Sequence, residues 1–165
     1  MTKGAPLVAL SLCSPRIAPR MSPDSARLEA LYQELILDHY RRPRNKGSLA
    51  DADVEGGARN PLCGDELMVT VALDGGRVSA VRFTGSGCSI SQASASMMTQ
   101  LVEGRTLAEV AALRHRFAEL LAGDREAAAD AALGDARALA GVSRFPTRHK
   151  CASMGWEALG EALRG

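Results

Sequence analysis

Glu66-Leu67-Met68-Val69-Thr70-Val71-Ala72-Leu73-Asp74-Gly75-Gly76-Arg77-Val78-Ser79-Ala80-Val81-Arg82-Phe83-Thr84 is the stretch that decides the fold. Leu67, Val69, Val71 and Leu73 alternate with Met68, Thr70 and Ala72. That period of two is what a strand buried on one face requires. Asp74-Gly75-Gly76 is a turn signal, and Val78, Val81 and Phe83 follow in a second strand. The segment predicts a β-hairpin with one buried face. On its N-terminal side, residues 44–59 are rich in Gly, Asp and Asn and read as a loop entering a short strand. On its C-terminal side, Gly85-Ser86-Gly87 breaks the strand, and residues 88–102 read as a helix closed by Gly104.

The remaining segments have a helical period. Residues 25–40 place Leu28, Leu31, Tyr32, Leu35 and Ile36 on one stripe, with Asp24 or Ser25 as cap and Pro43 as stop. His39, one turn past Leu35, reads as a surface or groove histidine. In residues 106–121, Thr106 caps a stripe of Leu107, Val110, Leu113, Phe117, Leu120 and Leu121. Residues 126–133 are alanine-rich and helical, and residues 136–145 are less regular. Pro146-Thr147 opens a last helix carrying Trp156, Leu159 and Leu163. A helix, then strands, then a run of helices is an α+β pattern, with a small antiparallel sheet of about three strands packed against several helices.

The 165 residues suit one domain, expected over residues 23–165. Residues 1–22 read as a disordered extension or a mis-assigned start, with Met21 as the true one. Their short apolar run from Leu7 to Leu12 has no clean cleavage site after it, and Cys13 receives no role. A net charge of +1 and 4% aromatic residues point away from nucleic acid. No apolar run approaches the roughly 18 residues of a membrane span. Four cysteines in this length fall short of a disulfide-stapled secreted domain, although an even count permits two bridges.

Three cysteines sit where chemistry is accessible. Cys63 lies in the polar turn Asn60-Pro61-Leu62-Cys63-Gly64-Asp65. Cys88 follows Gly85-Ser86-Gly87 and opens a helix, and Cys151 is expected in the first turn of the last helix. Helix N-termini favour the thiolate, which binds metal and attacks electrophiles. Three thiolates and the carboxylate of Asp65 make a tetrahedral set that suits zinc or an iron–sulfur unit over magnesium or calcium. Four anionic ligands around one divalent cation leave a charge of about −2. Arg59, Arg148 and Lys150 flank the ligands and are expected to offset it. There is no Cys-x-x-Cys pair, and Cys88 or Cys151 taken alone reads equally as a small buried hydrophobe. His149 is an alternative fourth ligand to Asp65.

These motifs together resemble the SufU branch of the IscU/NifU-type iron–sulfur assembly proteins. The likeness runs through Leu31-Tyr32 to Asp38-His39-Tyr40, Arg42-Pro43-Arg44-Asn45, Asn60-Pro61-Leu62-Cys63-Gly64-Asp65, Gly85-Ser86-Gly87-Cys88-Ser89-Ile90-Ser91 and Arg148-His149-Lys150-Cys151-Ala152. In the IscU branch a histidine directly precedes the third cysteine; here Lys150 holds that place and His149 stands one earlier. The long stretch between Cys88 and Cys151 matches the insertion of the SufU branch. The resemblance implies an IscU/SufU-like fold and a zinc ion on Cys63, Asp65, Cys88 and Cys151. It implies a cytoplasmic, sulfurtransferase-like carrier partnered by a PLP-dependent cysteine desulfurase of the SufS type, which supplies a histidine to the metal. Cys63 is then freed to take the persulfide sulfur, with Arg148 assisting, and downstream SUF scaffold proteins receive it.

Two other functions fit the same ligands. One is a scaffold on which a [2Fe–2S] cluster is assembled and transferred. The other is a structural zinc adaptor with no sulfur chemistry. A self-contained cysteine enzyme fits less well. No histidine is a clear base: His39 and His149 are free candidates, and His115, inside Arg114-His115-Arg116, reads as a solvated helix face. The lone Gly85-x-Gly87 is no nucleotide loop without a βαβ unit, and Met97 and Met98 read as core filler.

Overall fold

The computed structural model describes residues 22–164; the N-terminal extension and Cys13 lie outside them. Strands β1 (Val54–Asn60), β2 (Asp65–Asp74) and β3 (Arg77–Ser86) form an antiparallel meander in the order β1-β2-β3. The hairpin is built as its alternation demands. Leu67, Val69, Val71, Val81 and Phe83 are buried, while Met68 faces solvent. Gly75 and Gly76 both have positive φ, 57° and 78°. Two such residues make the primed turn whose twist matches the strands it joins. Thr70, on the outward face, is buried as well, because the loop after the first helix crosses it and Leu49 N–H donates to Thr70 Oγ1 at 3.2 Å.

Helix α1 (Pro23–Arg41) is followed by the sheet, then α2 (Ser89–Val102), α3 (Leu107–Leu121), the short α4 (Arg125–Ala129), a 3-10 segment (Ala131–Arg144) and α5 (Pro146–Arg164). The cap of α1 is Ser22, not Asp24 or Ser25: its hydroxyl takes the Ser25 N–H and Pro23 fills the first helical position. Thr106 caps α3 as expected, accepting from Glu109 N–H. The alanine-rich stretch does not run on as one helix. Asp130 caps a new turn, and Gly134 at φ 49° kinks the segment after it.

The core lies between the sheet and α2, α3 and α5. Val69, Val71, Phe83, Met97, Met98, Phe117 and Leu159 are all at most 1% exposed. Phe117 and Trp156 stack at 4.8 Å between α3 and α5. Strand β1 meets α5 through Gly56, where a Cβ would come within 2.3 Å of the Ala162 backbone nitrogen. Only a residue without a side chain admits that approach.

The stripe of α1 departs from expectation. Leu28 and Leu31 are 47% and 51% exposed, and Tyr32, Leu35 and Ile36 are only partly buried. The one fully buried residue of α1 is His39. Its Nδ1 lies 2.7 Å from Ser96 Oγ and its Nε2 2.9 Å from Asp135 Oδ2. It is no surface histidine: it ties α1 to α2 and to the 3-10 segment through a polar pin.

Candidate metal centre

Three elements converge at one end of the sheet. Asn60 ends β1 and Asp65 begins β2, and the two face each other across the antiparallel ladder. The intervening turn is closed by the Asn60 carbonyl, which accepts the N–H groups of Cys63 and Gly64 at 3.2 and 2.8 Å. Gly64 takes φ 73° there. The turn leaves Cys63 exposed and Leu62 95% exposed. Asp65 lies at the foot of the turn and is 5% exposed.

Cys88 occupies the N-cap position of α2, as its Gly-x-Gly context predicts, and is half-buried. Its N–H points at Asp65 Oδ2, 3.4 Å away. Gly87 makes that approach feasible, since a Cβ there would sit 2.2 Å from Ser91 Oγ and 3.2 Å from Asp65 Oδ2. Ser91 Oγ donates to the Cys88 carbonyl at 3.0 Å and lies 3.8 Å from Cys88 Sγ.

Cys151 is the sixth residue of α5, not a first-turn residue, and is 1% exposed. The helix-end stabilisation expected for its thiolate therefore does not apply. Burial, then the neighbouring Cys88 thiol and the charges of Cys88, Cys63 and Asp65, push its thiol from 9.0 up to about 12. The protein alone holds this sulfur protonated, and a cation is what would reverse that preference.

Asp65, Cys88 and Cys151 each place one ligand atom within 4.8 Å of the others. A tetrahedral zinc with two sulfurs and an oxygen separates such atoms by roughly 3.5–3.8 Å. A contraction of at most about an ångström fits the group to that ion. Two sulfurs and a carboxylate are also the donor chemistry zinc accepts. Cys63 is not in this group; it stands close enough for its charge to act on Cys151. His149 is outside it too, its Nε2 3.2 Å from the Ser143 carbonyl. The three described cysteines are unbridged.

The flanking cations divide. Arg59 pairs with Glu66 and Lys150 with Glu157, each at 2.5 Å, so neither serves the ligands as expected. Arg148 is exposed and makes no ion pair among the described residues. It lines a groove of about 1070 Å³ together with Ser89 and Ile90, which directly follow Cys88. Sequence reasoning missed Asn60 and Ser91 as builders of the site. Asn60 was visible only as a turn residue, and nothing in the local pattern marks which strand end it closes.

A family profile, the NifU-like N terminal domain, matches residues 31–162. A Bacillus subtilis protein named as the zinc-dependent sulfurtransferase SufU is 46% identical over 82% of this chain and 90% of its own. A Streptococcus pyogenes protein named as the iron–sulfur cluster assembly scaffold protein IscU is 40% identical over 84% and 86%. A solved structure described only as a hypothetical protein superposes with a TM-score of 0.76 at 39% identity, covering 83% of this chain and 99% of that one. Fold, candidate triad and relatives agree, and the chain belongs to the NifU-like N-terminal domain family, on its SufU side.

Proposed function

We propose that this protein is a zinc-dependent sulfur acceptor and carrier for iron–sulfur cluster assembly, with residues 23–165 as its functional unit. Asp65, Cys88 and Cys151 hold the metal; Cys63 completes the set at rest and is the sulfur acceptor. The observation that carries this reading is the division of the site: two thiols and a carboxylate are gathered, with Asp65 and Cys151 buried and Cys88 half-buried, while the third thiol is exposed on a tight turn beside them. A site of four buried ligands would serve structure alone. The zinc-dependent sulfurtransferase named among the relatives supports it.

The donor is a persulfide on a PLP-dependent cysteine desulfurase of the SufS type. The Cys63 thiolate attacks its terminal sulfur and a new S–S bond forms on Cys63. The donor's S–S bond breaks and its electron pair leaves with the desulfurase thiolate, so no outside oxidant or reductant is needed. Zinc, when bound, supplies a charge that keeps the ligand thiols deprotonated near neutral pH. The chain's own residues do the rest. The turn at residues 61–64 presents Cys63, Gly87 admits Asp65 to Cys88, and Arg148, which makes no ion pair among the described residues, is the cation offered to the anionic sulfur. Downstream SUF scaffold proteins take the sulfur on. The setting is cytoplasmic, where a reducing medium keeps such thiols free.

The test is desulfurase turnover with and without this protein, beside zinc content. Wild type stimulates turnover, and Cys63→Ser keeps zinc but loses the stimulation. No stimulation by wild type removes the proposal. Stimulation that survives Cys63→Ser favours the adaptor reading. A stable, transferable cluster after anaerobic iron and sulfide reconstitution at sub-stoichiometric zinc favours the scaffold.

A further inference from the structure

The side chain of Asn60 faces two ways. It is 3% exposed, at the end of β1, directly beneath the turn that carries Cys63. Its Oδ1 accepts the Leu62 N–H at 3.2 Å. A backbone N–H can only donate, so this contact fixes which end of the amide is oxygen. The amide nitrogen is thereby turned to Cys151, with Nδ2 3.9 Å from Sγ. One planar group joins the exposed turn to a buried sulfur 91 residues away in the chain.

We infer that Asn60 is the positioning residue that ties the sulfur-accepting turn to the buried ligand Cys151. Holding the turn needs only an oxygen, and aspartate would serve as well. Facing a thiolate needs a donor, which the asparagine amide supplies and an ionised aspartate lacks. The N–H draws charge from the sulfur and so weakens its donation to a metal. Because Oδ1 is tied to Leu62, a swing of the Cys63 turn toward a sulfur donor drags the amide and loosens its hold on Cys151. Departure of the acceptor and the state of the remaining ligand are then linked through one side chain. This inference rests on the reading of Asp65, Cys88 and Cys151 as metal ligands.

The test compares wild type, Asn60→Asp and Asn60→Ala by two readouts. The first is the thiolate-to-metal charge-transfer band of the cobalt(II)-loaded protein. Both variants are expected to shift it to longer wavelength, since each removes the N–H. The second is amide hydrogen exchange at Leu62 in the metal-free protein. Asn60→Ala is expected to speed it by about fivefold, while Asn60→Asp, which keeps the accepting oxygen, stays within about twofold of wild type. A wild-type band in Asn60→Asp overturns the link to Cys151, and that variant decides the point even where Asn60→Ala fails to fold. Wild-type exchange at Leu62 in Asn60→Ala overturns the hold on the turn. Absence of any thiolate band in wild type refutes the metal reading and, with it, the sulfur half of this inference; the exchange arm, read without metal, still decides the other half.

Discussion

Gly87 is a tightly packed point of the candidate metal centre, and Gly87→Ala tests the geometry directly. The added methyl would lie 2.2 Å from Ser91 Oγ, 3.1 Å from Asp65 Cγ and 3.2 Å from Asp65 Oδ2. Ser91 is fully buried, and its hydroxyl already donates to the Cys88 carbonyl. To clear the methyl it must rotate off that carbonyl and lose its partner, which costs about 1–3 kcal/mol. At about 2–4 °C per kcal/mol for a chain of this size, the metal-free protein should melt about 2–12 °C lower. Asp65 must also retreat by a few tenths of an ångström. Displacing the support of a ligand costs about 10–100-fold in metal affinity, and the loss of zinc affinity should fall in that range. Thermal unfolding of the metal-free protein and competition with a chromophoric zinc chelator measure the two effects. Removing the nearest obstacle with Ser91→Ala should make the added methyl less costly than it is in wild type. A lowered melting temperature with wild-type zinc affinity would refute the argument that Gly87 positions the carboxylate. Wild-type values for both would refute the close contact itself.

The raised thiol of Cys151 has a pH signature. Its folded value, about 12, lies above the reference of 9.0, so above pH 9 the unfolded chain sheds this proton first. Stability of the metal-free protein should therefore hold below pH 9 and decline from there toward pH 12. Urea unfolding across that window should show the slope, and Cys151→Ala should flatten it; an increase with pH would contradict the assignment. Asp65→Ala should lower zinc affinity, whereas His149→Ala, whose ring faces the Ser143 carbonyl, should leave it unchanged; chelator competition on both variants settles the fourth-ligand question. His39→Ala removes the polar pin among α1, α2 and the 3-10 segment. It should destabilise the fold by about 2–4 kcal/mol, through a cavity and orphaned partners, with zinc stoichiometry retained. Denaturant unfolding and metal analysis of that variant check both halves.

Local pattern carried the hairpin, the start of α2, the cap of α3 and the start of α5, because a period of two, a glycine turn and a capping hydroxyl act over a few residues. The same locality explains the failures. The stripe of α1 has the right spacing, yet Leu28 and Leu31 stay about half-exposed, and Leu28 lines the open groove shared with the 3-10 segment instead of packing into the core. His39 is buried because Ser96 and Asp135, both far along the chain, supply partners that no window around residue 39 contains. Cys63, Asp65, Cys88 and Cys151 were legible as candidates from residue type and turn context. Their division was not. Three of them meet only when β2, α2 and α5 pack together, and the depth of Cys151 follows from where α5 lies against the sheet. Residue chemistry named the candidates within the chain; burial and distance between distant segments, which are properties of the packed molecule, separated the gathered triad from the exposed cysteine.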